Sequence, residues 1–582
     1  MNKKEILNPD IKRAAGFLSQ RKEILAFSPE KAIARIFEAE HPAALVHSFP
    51  EADLYFLVND IGINDSLEII ALASDRQWEY ILDIELWEKD RIDLNSATKW
   101  LDVFFQAAPA RFVRWAVEKK AELIEYYLYK NIKVAVREHD EDPSVLGKDF
   151  ITFDDVYYVG ITDDYFEADE SAGDSEKGEE REKSEDLIKR LLEKVAGYDY
   201  GKYRDILFET MIVLPAEMEE ELYRIRNVRL EEKGFLPFHE AAGVYAPLKP
   251  DKLVKRRKTA GNKEQYSSIM PVPLYPSGML KEDNLFSMSL ERIEPEGIIE
   301  DLQTEFAALC NRIISADGKT IRNRDELKEI VKKACGYLSI GLEKIAEKGE
   351  KPDLNRTAAL MEKYHLEHIF RTGFGFAMEL KKRAEKWVGK SWFRKQDLPL
   401  LFWGEEWTGI LGGLLIKKPL YFDNYKAGHL YREFYNFSDV RNTGKHLDEI
   451  TAIDGLFSLL CDDARRFKGR SLNYKKLILT LFAGSCAGLP KETVILPYGD
   501  FVRFFESLWT GKGKSRRMAS SVKESFLKWL SESAGLAPAE ITEKLGRVFD
   551  DLFCEIESEL KKVSPRDLDP RHINLFLVES GK

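Results

Sequence analysis

Cysteine is scarce. There are five in 582 residues, at positions 310, 335, 461, 486 and 554, with no C-x-x-C pair among them. An odd number at such wide spacing excludes a disulfide framework and a cysteine zinc site, and it points to a reducing, cytoplasmic location. Long hydrophobic runs are missing too. The nearest, "LPLLFWGEEWTGILGGLLIKKP", is broken by Glu405 and Glu406 before about 18 apolar residues accumulate, so it is read as buried core and no membrane insertion is expected. The start, "MNKKEILNPDIKRAAGFLSQRKE", is charged throughout and has no apolar stretch of the signal-peptide kind. A basic excess is absent as well: the net charge is −12. The stretch from Thr162 to Asp186 alone carries −9 of it, leaving a body near neutrality, which argues against a nucleic-acid partner.

What the chain does have is helix grammar. In "LVHSFPEADLYFLVNDIG", Pro50 suits a first helical position, Leu54, Leu57, Val58 and Ile61 fall on one stripe, and Gly62 supplies the stop. Nearby, Ser28-Pro29 opens a helix carrying Ile33, Ile36 and Phe37. Ser74 and Gln77 stand at capping-box spacing ahead of Trp78, Ile81 and Leu82. Ala97, Trp100, Leu101 and Phe104 form another stripe, and Pro109 begins a further helix. These starts predict an irregular helical array over residues 28–135, in which short helices bury their stripes by stacking.

The rest of the chain divides by composition. The N-terminal array occupies 1–140. A small β-hairpin around Asp154-Asp155 and an acidic, disordered segment fill 141–186. A middle helical region spans 187–250, a Gly/Ser/Pro-rich linker 251–289, and a helical C-terminal body 290–582. In that body "IIEDLQTEFAALCNRII" places Leu302, Phe306, Leu309 and Ile313 on one side. The fold class is mainly α, with no strand–helix alternation that would build a parallel sheet.

Several motifs suggest chemistry and lack the context for it. Gly484-Ser485-Cys486-Ala487-Gly488 matches a nucleophile elbow, but the preceding "LNYKKLILTLF" reads as helix where a strand is needed. His365 and His368 lie at i and i+3 without further metal ligands. Gly373 and Gly375 in "RTGFGFAMEL" miss the third glycine of a dinucleotide loop, and like "GILGGLL" they read as close-packing points or helix breaks. Asp317-Gly318 lacks the remaining calcium-loop ligands. No catalytic residue, metal site or cofactor is therefore expected.

The densest polar constellation is "YRIRNVRLEEKGFLPFHEA", with Arg224, Arg226, Arg229, His239 and Glu240. Three guanidinium forks could clamp a phosphate or carboxylate; alternatively they pair internally with nearby carboxylates. The basic runs "KRRK" (255–258) and "KGKSRR" (512–517) read as solvated loops.

Two resemblances follow from particular residues. "FPEADLYFLVNDIGINDSLEIIALAS", with its Pro-Glu helix start and second short helix, resembles the α-superhelical modules of MgtE-type magnesium transporters and of the flagellar rotor protein FliG. No channel accompanies it, so the resemblance implies a cytoplasmic docking or regulatory role and not transport. "RNVRLEEKGFLPFHEAAGVYAPL", "CGYLSIGLE" and "WTGILGGLLIKKPLYF" resemble a family of large bacterial proteins of unknown function. The expected function is a non-enzymatic interaction, scaffold or regulatory protein with protein partners. The alternative is an enzyme or small-molecule sensor with an anion site around Arg224–Glu240.

Overall fold

Helix after helix starts where the sequence places a cap or a proline. The computed structural model describes residues 9–138, 150–162, 174–256, 284–293, 296–346, 353–461, 463–464, 472–490, 493, 495–511 and 516–579. Among these, twenty-five α-helices accompany a few short strands, so the chain is mainly α. By contact density it divides into two units: residues 1–246, 253–335 and 349–370, and residues 247–252, 336–348 and 371–582.

The first unit begins with the array: helices Pro9–Ile24, Pro29–Phe37, Pro42–His47, Glu51–Ile61, Leu67–Leu72, Asp75–Glu85, Leu94–Ala107, Pro109–Lys119 and Ala121–Asn131. Ser74 forms the capping box, its side chain accepting from Gln77 N while Gln77 reaches back to Ser74 N at 2.7 Å. Gln77 also donates to the carbonyls of Val46 and Phe49, at 2.8 and 3.0 Å, so one cap residue ties two helical layers together. Pro50 stands one residue outside the helix it introduces, and Gly62 ends that helix at φ +105°. The stripe Leu54, Leu57, Val58 and Ile61 is buried. Inside, Trp78 stacks on Phe104 with centroids 4.7 Å apart and meets Trp115 edge-on at 5.4 Å, and its indole N–H donates to Ile70 O at 2.8 Å. Buried rings of this size dominate the burial energy of the layer.

A three-stranded antiparallel sheet follows, in the order Ile132–Val136, Tyr157–Ile161, Phe150–Ile151. Its hairpin turns at Asp154-Asp155 as expected: the Asp154 carboxylate accepts from the amides of Val156 and Tyr157 at 3.0 and 2.8 Å, and Asp155 takes φ +56°. The strand Ile132–Val136 was not foreseen. The acidic segment needs a correction. Residues 163–173 lie outside the described residues, but a helix runs Asp174–Tyr198, ten residues ahead of the expected start at Ser184. Leu187, Ile188, Leu191, Leu192 and Val195 bury one stripe of it, and Glu185–Lys189 and Asp186–Arg190 pair at i,i+4. Once that anchored part is helical, propagation is cheap. Helices Tyr200–Ile212 and Pro215–Glu231 complete this part. The linker expected at 251–289 lies largely outside the described residues, as do residues 257–258 of the first basic run and 512–515 of the second.

The second unit is held by an aromatic cluster. Trp392, Phe393, Phe402, Trp403 and Phe457 are buried with neighbouring centroids 5.2–6.1 Å apart. Asp454, on the helix Phe437–Leu460, reaches into it and accepts from Trp392 N, Phe393 N and Trp387 Nε1 at 3.1, 2.9 and 3.1 Å, so a buried carboxylate caps the helix Trp392–Lys395. Glycines serve close approach. A Cβ on Gly409 would lie 2.3 Å from the Phe422 ring and one on Gly413 2.6 Å from Leu420 O, which explains "GILGGLL" within the helix Gly404–Leu415. Among the described residues no helix is long and apolar enough to cross a membrane.

Candidate functional site

The elbow-like motif ends a helix. Gly484–Cys486 closes Tyr474–Cys486, and Gly488 at φ +68° turns the chain away, so no strand supports a nucleophile there. His365 Nδ1 lies 3.3 Å from Glu305, and among the described residues no group of three or more His, Cys, Asp or Glu has metal-holding geometry. The Asp317 side chain, 8% exposed, accepts from Tyr245 Oη at 2.6 Å and Lys333 Nζ at 3.1 Å at a helix–turn–helix corner.

The arginine cluster separates on folding. Arg224 is exposed and pairs with Glu221 at i−3, and His239, exposed on the helix Phe238–Ala241, does not line the cleft that receives the others. Arg226 and Arg229 do converge. Arg229 forms a bidentate pair with Asp83, Nε and Nη2 donating at 2.9 and 2.6 Å. Arg226 Nε donates to the Asp83 carbonyl at 2.6 Å, and its guanidinium lies over the rings of Trp87 and Tyr223 at 5.5 and 5.9 Å. Burial pushes the Asp83 carboxyl above the usual aspartate range, with Arg229 pulling the other way. These groups line a cleft of about 400 Å³ that also takes in Lys119, Lys120 and the first residues of the helix Ala121–Asn131. Most of its cations are answered: Lys120 by Glu79 at 2.7 Å, Lys119 by Asp75 at 2.6 Å. Among the described residues Arg226 makes no ion pair, although the Asp83 carboxylate lies near enough to act on its charge.

The helix Ala121–Asn131 has a second neighbour. Helices Tyr200–Ile212 and Pro215–Glu231, joined by a two-residue corner, both pack on it. At that corner apolar side chains face outward: Phe208, Met211, Ile212 and Leu214 are 52%, 46%, 56% and 61% exposed. Single exposed apolar residues are ordinary, but four within seven positions make a patch that water disfavours. Alongside it, Glu122 and Glu125 of one helix and Glu209 of the next stand together. Among the described residues none of the three has a hydrogen-bonding or ion-pairing partner. Burial first, then Glu209 and Glu122, push the half-buried Glu125 carboxyl up to about 7.

The consequence for stability has a definite sign. The Glu125 pKa in the folded chain lies above its ordinary 4.5, so proton binding favours the folded state. That contribution is complete below about pH 4.5 and is lost as pH rises through 7. Glu125→Gln should therefore match the parent near pH 4.5 and exceed it at pH 8. A sheltered group would give about 3 kcal/mol, and screening at this half-open position reduces that to about 1–2 kcal/mol. Urea titrations at both pH values measure it; a gap that does not change with pH would contradict the assignment.

The second unit holds a larger cleft, about 1030 Å³, between the helices Leu366–Val388, Phe437–Leu460 and Pro538–Leu560, floored by Leu380, Leu456 and Ile541. On its rim Arg383 pairs with Asp448 and Lys544 with Glu540.

Residues 10–579 match a family model described as "Family of unknown function (DUF6178)". No curated protein and no solved structure matches the chain.

Proposed function

The chain belongs to this family of unknown function over nearly its whole length, and we propose that it is an interaction protein whose helical hairpin, Tyr200–Ile212 and Pro215–Glu231, presents a docking surface for another protein. One observation carries this reading: the half-exposed Phe208, Met211, Ile212 and Leu214 at a well-packed helix corner. Leu207 and Ile206, beside them, are buried, so the helix has already satisfied its inward stripe and carries a second apolar face. Such a face lowers solubility unless something covers it. Helical arrays provide broad, rigid surfaces of this kind.

A photo-crosslinking amino acid at Phe208, with one at the exposed Lys528 as control, tests the reading in cells that naturally make the protein. A discrete crosslinked species from position 208, absent from 528, is the expected result. Equal labelling from both positions would remove the docking surface.

A second reading, a small-anion site in the 400 Å³ cleft, is favoured by Arg226. Its guanidinium is held by a backbone carbonyl, the Asn227 side chain and two aromatic faces, and among the described residues it makes no ion pair.

A further inference from the structure

We infer that the corner around Phe208 receives a basic, apolar-faced helix of a partner protein; this rests on the interaction reading above. Along Tyr200–Ile212, Asp205, Phe208, Glu209 and Ile212 fall at i, i+3, i+4 and i+7, so one exposed face alternates acid and hydrocarbon. Glu122 and Glu125 extend the acidic side from the adjacent helix, and these two and Glu209 lack a cationic partner among the described residues. Two exposed carboxylates set beside the half-buried Glu125 repel its charge in the free chain, and an incoming Lys or Arg offsets that repulsion. An apolar stripe on that same segment covers Phe208, Met211, Ile212 and Leu214, in the manner of an amphipathic helix laid on a hydrophobic face.

The same charges disfavour the other occupants. A second copy docking face to face would bring two sets of Glu122, Glu125 and Glu209 together, because a two-fold interface sets each patch against itself. An anionic membrane surface would repel them.

The probes are two labelled amphipathic peptides of about 18 residues, five helical turns, with identical leucine faces and either lysine or glutamate on the polar face. Fluorescence anisotropy at physiological salt reads their binding to the full-length protein. The lysine peptide should bind about ten-fold tighter than the glutamate peptide, and Glu122→Gln/Glu125→Gln/Glu209→Gln should shrink that preference to about three-fold or less. Phe208→Ser/Ile212→Ser should weaken the lysine peptide about ten-fold. Removing three exposed carboxylates elsewhere, Glu524→Gln/Glu532→Gln/Glu543→Gln, should change nothing.

The outcomes separate the two ideas. If the serine variant loses binding while the triple glutamine variant keeps its preference for lysine, the basic partner is wrong and the docking surface stands. If the serine variant binds as the parent does, both are wrong. The basic partner is also overturned if neither peptide binds, or if the distant triple variant loses the preference equally. So would a dimer in sedimentation velocity, or capture by phosphatidylserine vesicles, if either is abolished by Phe208→Ser/Ile212→Ser. Circular dichroism confirms that each surface variant remains folded.

Discussion

Gly373→Ala is expected to cost about 3 kcal/mol or more and to lower the thermal midpoint by about 6–12 °C, although it adds one methyl group to a helix. The Cβ would stand 1.9 Å from Tyr337 O, 2.8 Å from Tyr337 C and 3.0 Å from Gly341 N. All three are backbone atoms, so no side chain can swing aside to make room. The strand of contact between this helix and the Tyr337 segment would have to open, and with it the edge-on pair of Tyr337 and Phe374 at 5.2 Å. Two residues further on, Gly375 meets nothing closer than Pro247 Cβ at 3.5 Å. Gly375→Ala should therefore be neutral or stabilising by about 0.5–1 kcal/mol, the ordinary preference of alanine for a helix. The two variants share a motif and a helix and differ only in what lies above them. Thermal unfolding followed by circular dichroism compares them, and equal midpoints would refute the close crossing.

That contrast marks how much could be read from the residues in order. Caps and stripes are local, so Ser74 with Gln77, Gly62, and the periodic Leu302, Phe306, Leu309 and Ile313 all sit where spacing put them. Gly373 was legible as a packing point, but nothing in "RTGFGFAMEL" separates it from Gly375, because the difference lies in a segment distant in sequence. The same limit governs the site. Arg226 and Arg229 stood out by composition, yet their partner is Asp83, 146 residues from Arg229, and His239 is close in sequence without joining them. The acidic group is less legible still: Glu122 and Glu125 look like an ordinary solvated pair until Glu209 is packed against them. Phe208, Met211 and Ile212 have the spacing of a buried stripe, and only the inward burial of Leu207 and Ile206 shows that they form an outer one. The early start of the helix at Asp174 was missed for a different reason. Composition measures the capacity to bury surface, whereas a helix already anchored from Leu187 onward can extend its backbone through a polar stretch.

Asp83→Ala should destabilise the first unit by about 2–3 kcal/mol, toward the lower end for breaking a buried ion pair because Arg229 keeps part of its surface in water. The substitution strips the acceptors from Arg229 Nε and Nη2 and leaves the Asp83 carbonyl, which holds Arg226, in place. Arg226 and Arg229, three residues apart on one helix, then both lose the Asp83 carboxylate. Removing the second charge, in Asp83→Ala/Arg229→Met, should restore more than half of the loss, because an unpaired buried charge costs more than an absent one. Orthophosphate supplies the missing anion by another route. If the cleft accepts anions, phosphate at about ten times its dissociation constant raises the stability of Asp83→Ala by about 1.4 kcal/mol, raises the parent less, and leaves Asp83→Ala/Arg226→Ala unmoved. Phosphate that stabilises all of these chains alike is acting through general salt exclusion, and the arginines are then structural: a fork that locks the hairpin Tyr200–Glu231 onto the array and so fixes the direction in which Phe208 and Ile212 face.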